Sequence, residues 1–160
     1  NHMPPRPYGN FFIDFSPMEH RILFWQSWAL GIKGMYYWSV NHWQNPQDPF
    51  NYPSDVTPVN GNGMLLYPGD QGPINSIRWE VIRDGIEDYD YLALLTEYRR
   101  RLSSLRNADA LMKQAAEAYN LSEIIPSLVS YTQDPVRLQT KREALARSIS
   151  AMKKALEDAR

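Results

Sequence analysis

The sequence predicts a mostly α-helical chain with a small β component. Three observations carry this. Strong helix-start signals precede long stretches with apolar residues three and four apart. Only two apolar runs have strand length and strand composition. Between residues 41 and 76 proline and glycine punctuate the chain so densely that a loop is expected. At 160 residues and 43% hydrophobic content, the chain is long and apolar enough to bury a core, and it is not of the disordered type.

Each element follows from local signals. Phe11-Phe12-Ile13-Asp14-Phe15 is a short apolar run that reads as a buried strand. Ser16-Pro17-Met18-Glu19 then starts a helix. Ser16 is the N-cap, Pro17 takes the first helical position, and Glu19 completes a capping box. This helix runs through Leu30 with little polar face, and Gly31 stops it. Gly34-Met35-Tyr36-Tyr37-Trp38-Ser39-Val40 is the second apolar run, rich in aromatic residues that favour strands. Strand, helix and strand in this order predict a β-α-β unit with a parallel pair. Inside the following loop, Gly63 to Gly69 is a weaker candidate for a short strand.

A long helix is expected from about Ser76 to Leu102. Ile82, Ile86, Tyr89 and Ala93 form one stripe, and Val81, Leu92, Leu95 and Leu102 its neighbour. Gly85 in its middle costs about 1 kcal/mol against alanine, so close packing is expected there. Ala108–Tyr119 and Leu121–Tyr131 read as two short helices. Asp134-Pro135 opens a last helix to about Glu157, with Leu138, Leu145, Ile149, Met152 and Leu156 on one seam.

Composition excludes several function classes. There is no cysteine, hence no disulfide, thiolate metal site or cysteine nucleophile in the chain. His2, His20 and His42 lack ligand spacing, so we expect no metal and no cofactor. No apolar run approaches the roughly 18 residues of a membrane span, and no signal peptide is visible. Asn1-His2-Met3 reads as a cloning remnant and is set aside. Net charge is −1 overall, but residues 1–97 hold 5 basic against 11 acidic residues, and residues 98–160 hold 12 against 7. The basic half interleaves its charges with Glu and Asp, and Arg99-Arg100-Arg101 suits a helix C-terminus. Solvated helix faces account for it better than nucleic acid does.

Two stretches together resemble a known family. The first runs from Arg21-Ile22-Leu23-Phe24-Trp25 through Gly31-Ile32-Lys33-Gly34-Met35-Tyr36-Tyr37-Trp38-Ser39-Val40-Asn41-His42-Trp43. The second is Leu66-Tyr67-Pro68-Gly69 followed by Ser76-Ile77-Arg78-Trp79-Glu80-Val81-Ile82-Arg83-Asp84-Gly85-Ile86-Glu87-Asp88-Tyr89-Asp90-Tyr91-Leu92. Both are similar to the domain of unknown function 4091, which sits at the C-terminal end of proteins similar to glycoside hydrolase family 123. The resemblance covers roughly residues 10–95. It implies that the chain is a C-terminal fragment of a (β/α) TIM-type barrel. Residues 4–102 would be the barrel segment and 103–160 a helical appendage. It further implies that the acidic catalytic residues are an adjacent Asp-Glu pair on an earlier strand. The sequence contains no Asp-Glu dipeptide, only the reversed pairs Glu87-Asp88 and Glu157-Asp158 on expected helices. The chain alone is therefore expected to be inactive, although the parent protein is a glycoside hydrolase on this resemblance.

In such barrels the active site lies at the C-terminal ends of the strands. Asp14 and the segment from Trp38 to Asn41 occupy such ends here. Asp14, Trp38, Asn41, Trp43 and Tyr67 are the candidate substrate-binding residues. Flat aromatic faces stack on the C–H face of a pyranose, while Asn, Asp and Tyr satisfy its hydroxyls. The plain alternative is that the tryptophans are core. Arg78, Glu80, Arg83, Asp84, Glu87 and Asp88 form a charged ridge at helical spacing. A paired-carboxylate hydrolase is the sharp reading of that ridge. A structural ion-pair network is preferred, because arginine beside a carboxylate lowers its pKa and spoils a general acid. No Gly-rich phosphate loop or nucleophile elbow is present.

Three functions compete: a sugar-site wall inactive by itself, a non-catalytic helical domain binding carbohydrate or protein, and a complete small hydrolase. The expected partners are carbohydrate of N-acetylhexosamine type, the missing N-terminal part of the barrel, and a second copy through exposed barrel-facing surface. Nucleic acid and membrane are not expected. The parent is taken to be an exported, bacterial protein of carbohydrate metabolism.

Overall fold

A computed structural model describes residues 6–53, 59–105 and 108–159. The expected cloning remnant at 1–3 lies outside the described residues. Four helices are found among them: α1 (Pro17–Ala29), α2 (Ile77–Leu102), α3 (Asp109–Tyr119) and α4 (Pro135–Asp158). The strands are β1 (Leu66–Tyr67) and β2 (Ile74–Asn75), an antiparallel pair with Leu66 opposite Asn75 and Tyr67 opposite Ile74. The chain divides into two compact units, one through Gly85 and one from Ile86.

The expected mostly helical character with a small β component is observed. The β-α-β unit is not. Residues 11–15 form a turn in which the Phe15 amide bonds the Phe12 carbonyl at 3.2 Å. The carbonyls that a ladder would use are taken by side chains instead: Arg78 bonds the Phe11 oxygen at 2.7 Å and His20 the Phe12 oxygen at 3.0 Å. Residues 34–40 likewise join no strand ladder. The Val40 carbonyl accepts from the amides of Leu65 and Leu66 at 2.7 and 2.8 Å, and Asn41 makes an isolated antiparallel bridge to Met64. Aromatic and apolar composition is thus insufficient for a strand where no neighbouring strand offers a ladder.

In the first unit, α1 begins as the sequence predicts. Ser16 caps it, its backbone N–H donates to Glu19 at 2.7 Å, and Glu19 is itself buried and paired with Arg6 at 3.3 Å. Met18, Ile22, Phe24 and Trp25 are buried on this helix together with the polar Glu19, His20 and Gln26. Such wide burial explains why it shows no clean amphipathic stripe.

Helix α2 buries a different seam from the broad one expected. Leu92, Leu95 and Leu102 are buried, as their stripe requires, but Ile86 is half-exposed. The seam continues toward the N-terminus through buried Asp88 and Gly85 at four- and three-residue spacing, and two turns further on through buried Arg78. The close packing expected at Gly85 is present, since a Cβ there would strike the ring of Phe24.

In the second unit, α4 carries the predicted Asp134 cap, which accepts from the Val136 amide at 2.9 Å. Leu138, Leu145 and Met152 are fully buried along it. The helix expected over Leu121–Tyr131 does not form. Pro126 has no amide hydrogen and disfavours helical geometry at Ile125, and the segment becomes turns with a Ser127–Ser130 bridge. Fully buried Asp88 pairs with Arg142 at 3.4 Å, and the same guanidinium reaches Glu87 at 2.7 Å.

Candidate functional site

The loop at residues 60–67 organises the first unit. It opens with Asn60-Gly61-Asn62-Gly63, in which Gly61 and Gly63 have φ of 74° and 73°. Only glycine takes this left-handed backbone without cost. Space also demands it. A Cβ at Gly61 would lie 2.5 Å from the Arg78 guanidinium, and one at Gly63 would lie 2.5 Å from the Trp38 indole.

All five residues expected to bind substrate are attached to this loop. Asp14 accepts from the backbone amide of Asn60 at 2.6 Å and from its side chain at 2.8 Å. The Trp38 indole N–H donates to the Asn62 side chain at 2.9 Å. Asn41 bridges to Met64, and the Trp43 indole N–H donates to the Leu66 carbonyl at 2.8 Å. Tyr67 is the last residue of the loop, and its ring stacks on Phe50 at 4.9 Å with an 18° interplanar angle. Trp38 is 41% exposed and packs at 4.9 Å against His42. Because both indole N–H groups are spent within the protein, what the two tryptophans offer outward is ring surface.

Beneath the loop lies Arg78. Its guanidinium donates to the carbonyls of Phe11 and Gly61 at 2.7 Å each and to the carbonyl of Met64, and it reaches the Tyr67 hydroxyl at 3.5 Å. Burial pushes its pKa down, while Tyr67, Tyr37 and Asp14 push it back up. Arg78 therefore stands apart from the ion-pair ridge in which the sequence placed it. Of that ridge, Glu80 pairs with Arg83 at 2.8 Å, Asp84 is half-buried, and Asp88 belongs to the Arg142 cluster.

Electrostatics fix what Asp14 can do. Slight desolvation pushes its carboxyl up, but hydrogen bonds from Asn60 and the Arg6 charge outweigh it and hold the pKa below the usual value of 3.8. At neutral pH it is a carboxylate that accepts hydrogen bonds and has no proton to give. Tyr37 completes the frame. Its hydroxyl accepts from the Gly63 amide at 2.9 Å and donates to Asn62 at 3.4 Å, and burial raises its pKa above 10.0.

Sequence reasoning missed Asn60, Asn62, Phe50 and the clamp made by Arg78. The signal for the asparagines was the Asn-Gly repeat, read only as punctuation. The signal for Arg78 was a lone cation on the seam that holds Val81, Leu92 and Leu95. Among the described residues no group of His, Asp or Glu could hold a metal ion. A groove of about 500 Å³ lies in the second unit, lined by Glu123, Ile124, Val136, Arg137, Thr140 and Lys141 among others, and it contains no aromatic residue. No helix among the described residues is long and apolar enough to cross a membrane.

Set against known families, residues 3–95 match the model described as glycoside hydrolase 123, catalytic domain. No curated protein matches the chain.

Proposed function

The chain belongs to the glycoside hydrolase 123 catalytic-domain family, and from that premise we propose that the 60–67 loop and the side chains attached to it form one wall of a carbohydrate site. The observation that carries this reading is the attachment of Asp14, Trp38, Asn41, Trp43 and Tyr67 to a single loop. Exposed ring surface beside a carboxylate and an amide suits a pyranose, which has one C–H face and a rim of hydroxyls.

The wall binds and orients sugar, and it does not perform the bond cleavage. Asp14 is held ionised and cannot serve as the acid. The family resemblance assigns cleavage to an adjacent Asp-Glu pair, which this sequence does not contain. On this reading the catalytic carboxylates come from another part of the enzyme, and the ligand is an N-acetylhexosamine-type glycan. Residues 4–102 would then be the segment that completes a barrel, as the likeness to the domain of unknown function 4091 implies, with 103–160 appended. In support, no backbone N–H from Lys33 to Val40 donates to another backbone group among the described residues, which leaves a row that a neighbouring strand could pair.

Calorimetric titration with N-acetylgalactosamine and N-acetylglucosamine tests the reading, with a Trp38→Ala variant alongside. Heat of binding in the parent chain that disappears in the variant is expected. A folded chain that gives no heat with either sugar would remove the sugar wall from consideration.

A further inference from the structure

The Phe50–Tyr67 pair lies apart from the tryptophans in its chemistry. The two rings are nearly parallel, and Phe50 is 62% exposed, so a flat apolar surface is held outward by a partner ring behind it. An exposed phenylalanine on a mobile tether would be ordinary surface. This one is fixed from several directions. Asp48 accepts from the Asn51 backbone and side chain at 3.0 to 3.3 Å, and its carbonyl accepts from the Tyr52 amide at 3.2 Å. The Gly61 amide then ties the Pro53 carbonyl to the site loop at 2.6 Å. Tyr67 is held from below by Arg78.

Resting on the sugar-wall reading above, we infer that Phe50, backed by Tyr67, is a second saccharide subsite, so that the wall takes an oligosaccharide and not a single sugar. The Trp38 platform is fastened to Asn62, at the start of the loop, and the Phe50 platform is fastened to Tyr67, at its end. Two separately anchored rings on one loop suit successive pyranoses of one chain, each stacking through its C–H face. Arg78, the cation that meets Tyr67, is buried and already engaged by three carbonyls, so the chemistry favours neutral sugars.

The experiment compares the monosaccharide with its homotrisaccharide, for N-acetylglucosamine and N-acetylgalactosamine alike, by titration of the full chain. The trisaccharide of the sugar that binds should bind about five- to tenfold more tightly than the monosaccharide. Phe50→Ala should abolish that gain and leave monosaccharide affinity unchanged. Phe50→Trp, which keeps a flat ring, should retain the gain, and Phe50→Leu, apolar but not flat, should lose it. Equal affinity for the two lengths overturns the inference, as does a Phe50→Ala variant that weakens both equally. If neither sugar binds at any length, the sugar wall itself fails and the subsite falls with it.

Discussion

At the scale of single residues, two buried side chains of the first unit show why chemistry-bearing groups are hard to read from sequence. His20 lacks ligand spacing in the sequence, yet it is buried with Nε2 on the Phe12 carbonyl and, among the described residues, no hydrogen-bond partner for Nδ1. Burial pushes its pKa below 6.5. The nearby Arg78 charge adds to this, while the Phe12 bond and Glu19 oppose it. The unfolded chain thus takes up a proton near pH 6.5 that the folded chain resists. The associated stability is complete above pH 6.5 and is lost as the pH falls below it, at no more than about 1.4 kcal/mol per pH unit. Urea midpoints between pH 5 and 8 should show this loss, and His20→Gln should flatten it. An unchanged slope in the variant would place the titration elsewhere. Arg78 carries the same lesson. Its partners are carbonyls of residues 11, 61 and 64, which lie 67, 17 and 14 positions away in sequence, and no local pattern announces them.

At the scale of elements, legibility depended on whether the signal was local. The Ser16 capping box and the Asp134 cap were readable because each involves residues within three positions, and both helices start where expected. The segments at 11–15 and 34–40 were not, because a strand is defined by its neighbour and the sequence alone does not supply one. The seam of α2 was half legible. Leucines marked one end, but Arg78, Gly85 and Asp88 continue it, and hydrophobic periodicity is blind to them. Gly85 makes this testable. On an open helix, Gly85→Ala would stabilise by about 1 kcal/mol. Against the buried ring of Phe24 the new methyl has no room, and small-to-large changes in packed sites typically cost about 1–3 kcal/mol. The variant should therefore be less stable in urea denaturation, with a net loss of about 1 kcal/mol. A gain would mean that Phe24 swings aside freely.

At the scale of the whole molecule, the first unit exposes several large apolar side chains. Leu30, Met35, Tyr36, Phe50, Tyr52 and Ile77 are all exposed, and Tyr36 is 88% so. Together with the N–H groups from 33 to 40 that meet no backbone acceptor among the described residues, this favours association between copies. Light scattering is expected to show a mass that rises with concentration, and a constant monomer mass up to high concentration would refute it. The Arg78 clamp sets what such conditions can change. Its acceptors are peptide oxygens, which carry no net charge and do not titrate in the range where proteins work. Acidification cannot neutralise them as it would a carboxylate, and dissolved ions have little access to a buried donor. While the unit stays folded, the Arg78 hold on Gly61 and Met64 is therefore indifferent to the acidity and salinity of its surroundings, whereas the Asp14 hold on Asn60 lasts only while that carboxyl stays ionised. That clamp would keep the same shape in a cytosol, a periplasm or open water.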